Sequence, residues 1–107
     1  MTDLVIIGGG PAGMSAAVAA FDSGIQDIII IERDKRLGGI LQQCIHNGFG
    51  LHKFEEELTG PEYAWRYEQE VLKRNIPTKL NTTVLDITKD KMITATNAKE
   101  GIFQIHL

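Results

Sequence analysis

Residues 4–13 of the chain read LVIIGGGPAG, and residues 28–32 read IIIIE. Each stretch begins with a short apolar run rich in β-branched residues, which is typical of a strand buried in a parallel sheet. The segment between them is rich in alanine, with Pro11 where a first helical turn tolerates proline and Gly24 where helices end. The sequence therefore predicts a strand, a glycine turn, a helix over residues 11–23 and a second strand, which together form a right-handed βαβ unit.

The glycine turn of this unit lies in residues 8–13, whose sequence GGGPAG matches the pattern G-x-G-x-x-G. Gly8 permits a tight turn out of the strand, Gly10 lets a pyrophosphate approach the backbone, and Gly13 allows close packing of the helix on the strand. Phosphates would then lie at the helix N-terminus, against free N–H groups and the positive end of the helix dipole. The pattern therefore predicts a dinucleotide site.

Glu32 directly follows the second predicted strand, where the same pattern places an acidic residue. A carboxylate at this point can accept hydrogen bonds from both hydroxyls of an adenosine ribose, and it would repel the 2′-phosphate of NADP. We expect this carboxylate to face an open crevice, so that its replacement affects binding more than folding. The competing interpretation is a glycine turn in a domain that binds nothing, but strand, helix and acid together favour binding.

The sequence after Glu32 predicts one further crossover connection, through a helix to a third strand. Residues 33–60 read as an extended loop with a short helix over residues 52–58. Thr59 and Glu62 have the spacing of a capping box, which predicts a helix that runs to about Arg74. Residues 76–80 then predict a third strand parallel to the first two.

The last third of the chain has a different pattern. Residues 84–87, 92–96 and 102–105 are short, β-rich segments separated by turn residues. This spacing predicts an antiparallel β-meander. The predicted fold class is therefore α/β and Rossmann-like, with a parallel three-stranded sheet plus a meander, in one domain that spans residues 1–107.

Composition excludes several classes of protein. The chain has 107 residues, of which 43% are hydrophobic and 23% charged, so it is neither disordered nor collagen-like. A net charge of −3 without a basic cluster argues against nucleic-acid binding. One cysteine excludes an internal disulfide and a cysteine-based zinc site, and we expect no metal. The apolar runs are far shorter than the roughly 20 residues of a membrane span, and without a signal peptide we expect a cytoplasmic protein.

The stretch from residue 5 to residue 32 resembles the dinucleotide-binding pattern of flavoproteins with two dinucleotide-binding domains. Val5 and Ile7 supply the alternating apolar residues before the first glycine, and Ala17 and Ala20 the small residues after the third. Ile29 and Ile31 supply the apolar residues before the acidic position. Gly38 and Gly39 resemble the glycine pair that lets the chain of these proteins pass close to the pyrophosphate and flavin.

The whole chain thus resembles the N-terminal part of an FAD-dependent pyridine-nucleotide oxidoreductase, similar to thioredoxin reductases and the α-subunit type of sarcosine oxidase. The resemblance implies that the glycine turn binds FAD and that residues 1–107 form the N-terminal part of the FAD-binding domain. The second glycine pattern, which binds NAD(P)H in this family, is absent from this chain. We therefore expect a fragment of a longer enzyme, in which hydride passes between NAD(P)H, flavin and a substrate.

The resemblance also implies which residues contact FAD. An asparagine in some thioredoxin-reductase relatives lies near the isoalloxazine, and family members commonly offer adenine a backbone amide after the third strand. The implied FAD-binding residues are Gly8, Gly10, Pro11, Ala12, Gly13, Glu32, Arg33, Gly38, Gly39, Asn47 and Val84. Cys44 is interpreted as a small buried hydrophobe rather than a reactive thiol, and the sequence assigns no catalytic acid, base or nucleophile.

Two other functions remain open at the level of the sequence. The first is an NAD-binding Rossmann domain of a dehydrogenase, because the glycine pattern serves both cofactors. The second is a nucleotide-sensing module without chemistry. The sequence names neither the substrate nor a redox partner, it predicts neither a nucleic-acid nor a membrane partner, and it is compatible with a homodimer.

Overall fold

The computed structural model describes residues 2–39 and 60–107. These residues form two helices and two three-stranded sheets. In chain order the elements are β1 (Leu4–Ile7), α1 (Pro11–Asp22), β2 (Ile28–Ile31), α2 (Gly60–Lys73), β3 (Thr78–Lys79), β4 (Thr83–Ile87), β5 (Met92–Asn97) and β6 (Gly101–His106).

The first sheet is parallel and has the order β1-β2-β3. Leu4 pairs with Ile28 and Ile7 with Ile31, so the carboxyl ends of β1 and β2 lie side by side. Helix α1 connects these two strands, and it packs on both of them and on α2. The predicted βαβ unit and three-stranded parallel sheet are confirmed, and the glycine turn lies at the carboxyl edge of the sheet.

The hydrophobic core lies between the parallel sheet and the two helices. Alternate residues of β2 point toward the helices, since Ile28 and Ile30 belong to the same buried cluster as side chains of α1 and α2. The buried members of the cluster are Met14, Ala17, Val18, Ile28, Ile30, Leu37, Tyr67, Val71 and Ile76. This packing fixes the N-terminus of α1 against the end of β1 and thereby positions the glycine turn.

The third strand is shorter than the sequence predicts. Of residues 76–80, only Thr78 and Lys79 pair with β2. Asn75, with a φ of 53°, ends the turn after α2, and Pro77 has no N–H to donate to the sheet. Asn81 has a φ of 52°, which turns the chain away from the sheet after Leu80.

The second sheet is the predicted antiparallel meander, with the order β4-β5-β6. The register between β4 and β5 shifts between Val84 and Asp86, where a bulge leaves Leu85 without a partner in the register. The backbone N–H of Thr2 donates to the carbonyl oxygen of His106 over 3.1 Å, which connects β6 to the chain just before β1. The two sheets are therefore joined near the amino end of β1.

Part of the predicted connection between β2 and α2 lies outside the described residues. This applies to residues 40–59, including the helix expected near residues 52–58. Residues 33–39, which we name the β2 exit loop, are described and form a series of bends. Across the two described ranges, no helix is long and apolar enough to span a membrane.

The depth of Ile30 in the core gives a first prediction. Ile30 is 0% exposed in β2, whereas Ile102 is 72% exposed in β6. Ile30→Ala removes buried methyl groups and leaves a cavity, so it should lower the free energy of unfolding by about 2–5 kcal/mol. Ile102→Ala is the matched control and should lower it by less than about 1 kcal/mol. If urea unfolding shows equal losses of unfolding free energy for the two variants, this placement of the core is wrong.

Candidate functional site

The glycine turn, defined as residues 8–10, connects β1 to α1. Gly8 has a φ of 104°, which side chains rarely permit, and its N–H donates to the carbonyl oxygen of Ile31 over 2.8 Å. Gly10 is the N-cap of α1, and its carbonyl oxygen accepts the first helical hydrogen bond, from Met14, over 2.9 Å. The turn thus leads directly from the end of the parallel sheet into a helix N-terminus.

The last two glycines of the pattern lie in different surroundings. A Cβ atom built on Gly13 would overlap the carbonyl oxygen of Gly8, so the close approach of helix and turn requires glycine there. A Cβ atom built on Gly10 would meet no atom of residues 2–39 or 60–107 within 4 Å, so with respect to these residues the Cα of Gly10 faces open space. The open space lies at the N-terminus of α1, where a ligand can approach the backbone.

Glu32 is enclosed rather than open, with only 6% of the residue exposed. Its backbone N–H donates to the carbonyl oxygen of Lys79 over 2.9 Å, and its carbonyl oxygen accepts from Thr82 over 3.0 Å. Its carboxylate accepts two backbone hydrogen bonds, at Oε1 from Gly9 over 2.7 Å and at Oε2 from Asp34 over 2.8 Å. The structure therefore gives this residue a structural role that the sequence does not predict.

The β2 exit loop returns to the glycine turn at Gly38 and Gly39. The N–H of Gly38 donates to the carbonyl oxygen of Gly9 over 2.8 Å. Gly38 and Gly39 have φ values of 117° and 55°, and a Cβ on Gly39 would lie 3.3 Å from the Cα of Gly10. The glycine pair therefore lies against the glycine turn.

The arrangement leaves hydrogen-bonding capacity for a ligand. A carboxylate offers about four acceptor positions, of which backbone N–H groups use two at Glu32. The N–H groups of Ala12 and Gly13 precede the first intrahelical donor and have no partner within α1. The first turn of α1 has no acidic residue. The site therefore combines anion donors at a helix N-terminus with acceptors at a neighbouring carboxylate, which suits a phosphate joined to a ribose.

A second group of hydrogen bonds connects the two sheets behind Glu32. The Thr82 hydroxyl donates to the carbonyl oxygen of Leu80 over 2.9 Å and accepts from the Asn97 side chain over 3.1 Å. Lys79, in β3, pairs with Glu100 at 2.7 Å, and this hydrogen bond lowers the pKa of the Glu100 carboxyl. The meander is thereby attached to the strand that contacts the Glu32 backbone.

Pro11 and Ala12 begin α1 directly after the glycine turn, and the other residues predicted from the sequence fall into two groups. Arg33 is exposed in the β2 exit loop, and Val84 is half-buried in β4, where it pairs with Ala95. Asn47 and Cys44 lie outside the described residues. The structure brings together Gly8, Gly10, Gly13, Glu32, Gly38 and Gly39 at one edge of the parallel sheet.

Sequence reasoning missed three residues that shape this edge. Gly9 occupies a variable position of the pattern, Leu37 precedes the glycine pair, and Thr82 follows β3. The one available signal was the extra glycine at residue 9, because G-x-G-x-x-G asks for no glycine at its second position. In residues 2–39 and 60–107, no group of three or more His, Cys, Asp or Glu residues has the arrangement of a metal site.

Comparison with known proteins identifies the family of this chain. The family model described as FAD dependent oxidoreductase matches residues 3–100. The chain belongs to this family. The thioredoxin reductase of Ureaplasma parvum serovar 3 is 41% identical over 75 residues, which cover 69% of this chain and 23% of that protein.

Two further similarities extend the comparison. Digeranylgeranylglycerophospholipid reductase 2 of Methanopyrus kandleri is 38% identical over 63 residues, which cover 59% of this chain and 15% of that protein. The crystal structure of thioredoxin reductase from Streptococcus pyogenes has a TM-score of 0.73 and 25% identity, covering 97% of this chain and 32% of that one. The chain therefore corresponds in length to about a third or less of these family members.

The two glycines that differ in their surroundings give a matched pair of variants. Gly13→Ala places a methyl group against the Gly8 carbonyl oxygen, so it should lower the free energy of unfolding without any ligand present. Gly10→Ala places a methyl group in open space, and its unfolding midpoint in urea should stay close to that of the wild type. A larger loss for Gly10→Ala than for Gly13→Ala would contradict the described turn.

Proposed function

We propose that this chain is the FAD-binding segment of a flavin-dependent oxidoreductase and binds the ADP half of FAD at the glycine turn. The observation that carries this proposal is the open face of Gly10 at the N-terminus of α1, adjacent to a carboxylate fixed by Gly9. A pyrophosphate needs backbone donors without side chains in the way, and an adenosine ribose needs hydrogen-bond acceptors. The backbone donors for the pyrophosphate and the acceptors for the ribose both lie at the carboxyl edge of the parallel sheet.

The pyrophosphate is proposed to lie at Gly10. The N–H groups of Ala12 and Gly13 have no partner within the helix and lie at the positive end of its dipole. Pro11 occupies the first helical position, where its fixed φ favours the helix and its missing N–H costs no helical hydrogen bond. Gly39 lies beside Gly10, so a second stretch of backbone without side chains borders the same space.

The adenosine ribose is proposed to lie at Glu32. The carboxylate retains about two acceptor positions after its bonds to Gly9 and Asp34, enough for two ribose hydroxyls. Those backbone donors fix the direction of the carboxylate before a ligand arrives. A 2′-phosphate would meet this negative charge, which supports FAD or NAD⁺ rather than NADP⁺ as the nucleotide of this site.

The other contacts follow from position in the fold and from the family. We propose that the backbone of Val84 contacts adenine, because the hydrogen bond between Thr82 and Glu32 brings the start of β4 to the ribose site. Arg33 follows Glu32 and is exposed, so its side chain is free to extend along the nucleotide. Asn47 is proposed to contact the flavin ring on the strength of the family resemblance alone.

The bound cofactor would supply the redox chemistry, since FAD accepts and releases hydride or single electrons at its flavin ring. The described residues of this chain bind and orient the ADP half. In the whole protein we propose that NAD(P)H and the substrate bind outside this chain, as its share of the relatives' length implies. We further propose a cytoplasmic location and a homodimeric assembly.

NAD⁺ is the second candidate for this site. Its ADP half is chemically identical to that of FAD, and the contacts of Gly10 and Glu32 suit either nucleotide. The position of Gly38 and Gly39 against the glycine turn and the family membership favour FAD. The two candidates are separated by direct competition.

Titration calorimetry of the full-length protein, freed of bound nucleotide, tests the choice of cofactor. Because the proposed NAD(P)H site outside this chain also binds these nucleotides, each is titrated in competition with FAD. NAD⁺ should compete at least tenfold more weakly than FAD, and NADP⁺ most weakly because of its 2′-phosphate. Displacement of bound FAD by ADP, followed through flavin fluorescence, identifies the ADP half as the anchor. Tighter binding of NAD⁺ than of FAD, with no flavin in the purified protein, would overturn the proposal.

Replacement of the buried carboxylate tests the ribose contact. Glu32→Gln puts an NH₂ group where one backbone N–H needs an acceptor, so the free energy of unfolding should fall by about 1–3 kcal/mol. It also weakens the acceptors for the ribose, and FAD affinity should fall by about one to two orders of magnitude.

The matched control is Glu100→Gln. It removes the surface ion pair with Lys79 without touching the glycine turn, and it should leave FAD affinity unchanged. Lower stability of Glu32→Gln together with wild-type FAD affinity would show that Glu32 acts only on the fold.

A further inference from the structure

Gly9, at the centre of the glycine turn, is enclosed on three sides. Its N–H donates to Glu32 Oε1 over 2.7 Å, and its carbonyl oxygen accepts from the Gly38 N–H over 2.8 Å. A Cβ atom built on it would overlap the Cδ2 methyl of Leu37 and would lie 3.2 Å from Glu32 Oε1. All three contacts come from residues 32–38, so the end of β2 and its exit loop surround this one residue.

Leu37 provides the apolar part of this enclosure. It lies in a loop of charged, exposed residues, yet it is only 3% exposed and belongs to the same cluster as the buried residues of α1 and α2. Its side chain therefore lies between the hydrophobic core and the Cα of Gly9. A loop residue buried to this degree connects the position of the turn to the packing of the core.

We propose that Leu37 is a positioning residue for dinucleotide binding, because its side chain packs against Gly9 and fixes the glycine turn in its pyrophosphate-binding conformation. The inference rests on the proposed function, since the turn it positions is the proposed FAD site. Leu37 acts through Gly9 and is not assigned a contact with the cofactor.

The physical reason is preorganisation. The Gly8–Gly10 backbone has no side chains of its own to restrict it, and glycine has more conformational freedom to lose on ordering than any other residue. A turn that samples other conformations must be ordered by the ligand, and the free energy of ordering is subtracted from the affinity. Leu37 supplies the missing restriction from outside the turn, together with the two backbone hydrogen bonds of Gly9.

The same contact explains why the second position of the pattern is a glycine in this chain. Gly9 does not have the positive φ of its neighbour Gly8, so its backbone conformation is open to alanine. The side chain of Leu37 occupies the space that an alanine methyl group would need. Residues 9 and 37 therefore have to be complementary in size, although the sequence pattern demands nothing at either position.

A matched pair of core truncations in the full-length protein separates positioning from stability. Leu37→Ala and Ile76→Ala each remove a buried aliphatic side chain from the same cluster, and both should lower the urea midpoint of unfolding. Only Leu37→Ala should raise the dissociation constant of FAD, by about tenfold at a temperature where both variants are folded. Equal FAD affinity of the two variants would overturn the inference. Leu37→Val, a smaller truncation, gives the same comparison if Leu37→Ala does not fold.

A double-mutant cycle tests the contact itself. Gly9→Ala should weaken FAD binding by more than tenfold and lower the unfolding midpoint, since its methyl group displaces Leu37. Adding Leu37→Ala opens that space, so the double variant should bind FAD more tightly than Gly9→Ala alone. If neither FAD affinity nor the unfolding midpoint recovers in the double variant, the inference is overturned.

The same measurements test the proposed function independently of the role of Leu37. If the wild type and Ile76→Ala do not bind FAD, the FAD assignment is wrong, and the positioning role falls with it. If both bind FAD and Leu37→Ala binds equally well, the FAD assignment stands and only the role of Leu37 is wrong.

Discussion

The hydrogen bond from the Gly9 N–H to the Glu32 carboxylate is the interaction on which the edge of the parallel sheet depends. It spans 2.7 Å and joins the turn after β1 to the residue after β2. Burial of a carboxylate is costly unless hydrogen bonds compensate it, and the second bond, from Asp34, completes that compensation. Hydrogen bonds from backbone donors to an ionised carboxylate are charge-assisted and are stronger than neutral ones.

Glu32 thereby has two roles, and different atoms of the residue serve them. The backbone of Glu32 is paired with Lys79 and Thr82. One acceptor position of its carboxylate holds Gly9 of the glycine turn, and a second holds Asp34 of the β2 exit loop. Under the proposed function, the remaining acceptor positions accept hydrogen bonds from the ribose hydroxyls. Since the backbone donors orient the carboxylate, the acceptors for a ribose are in place before the ribose binds, and binding does not have to order the side chain.

The first βαβ unit was predictable because its signals are local. The apolar runs, Pro11, Gly24 and the glycines of the turn each act within a few residues of their position. The limits of β3 and the enclosure of Glu32 were not predictable from the sequence, because each depends on a partner distant in sequence. The N–H of Asn81, where the chain turns away after β3, donates to the carbonyl oxygen of Asp34 over 2.9 Å. Gly9 reaches the carboxylate across the whole crossover. Periodicity and propensity contain no information about such pairs.

A glycine pattern that follows a strand is therefore an incomplete description of this site. The G-x-G-x-x-G glycines provide room for a pyrophosphate, but they do not by themselves fix the backbone that would bind it. In this chain the fixing groups are Glu32, Leu37 and Gly38, all at or after the end of β2. A second strand with the right ending is as necessary as the glycines, which is why pattern and acidic residue together predict a site that the glycines alone do not.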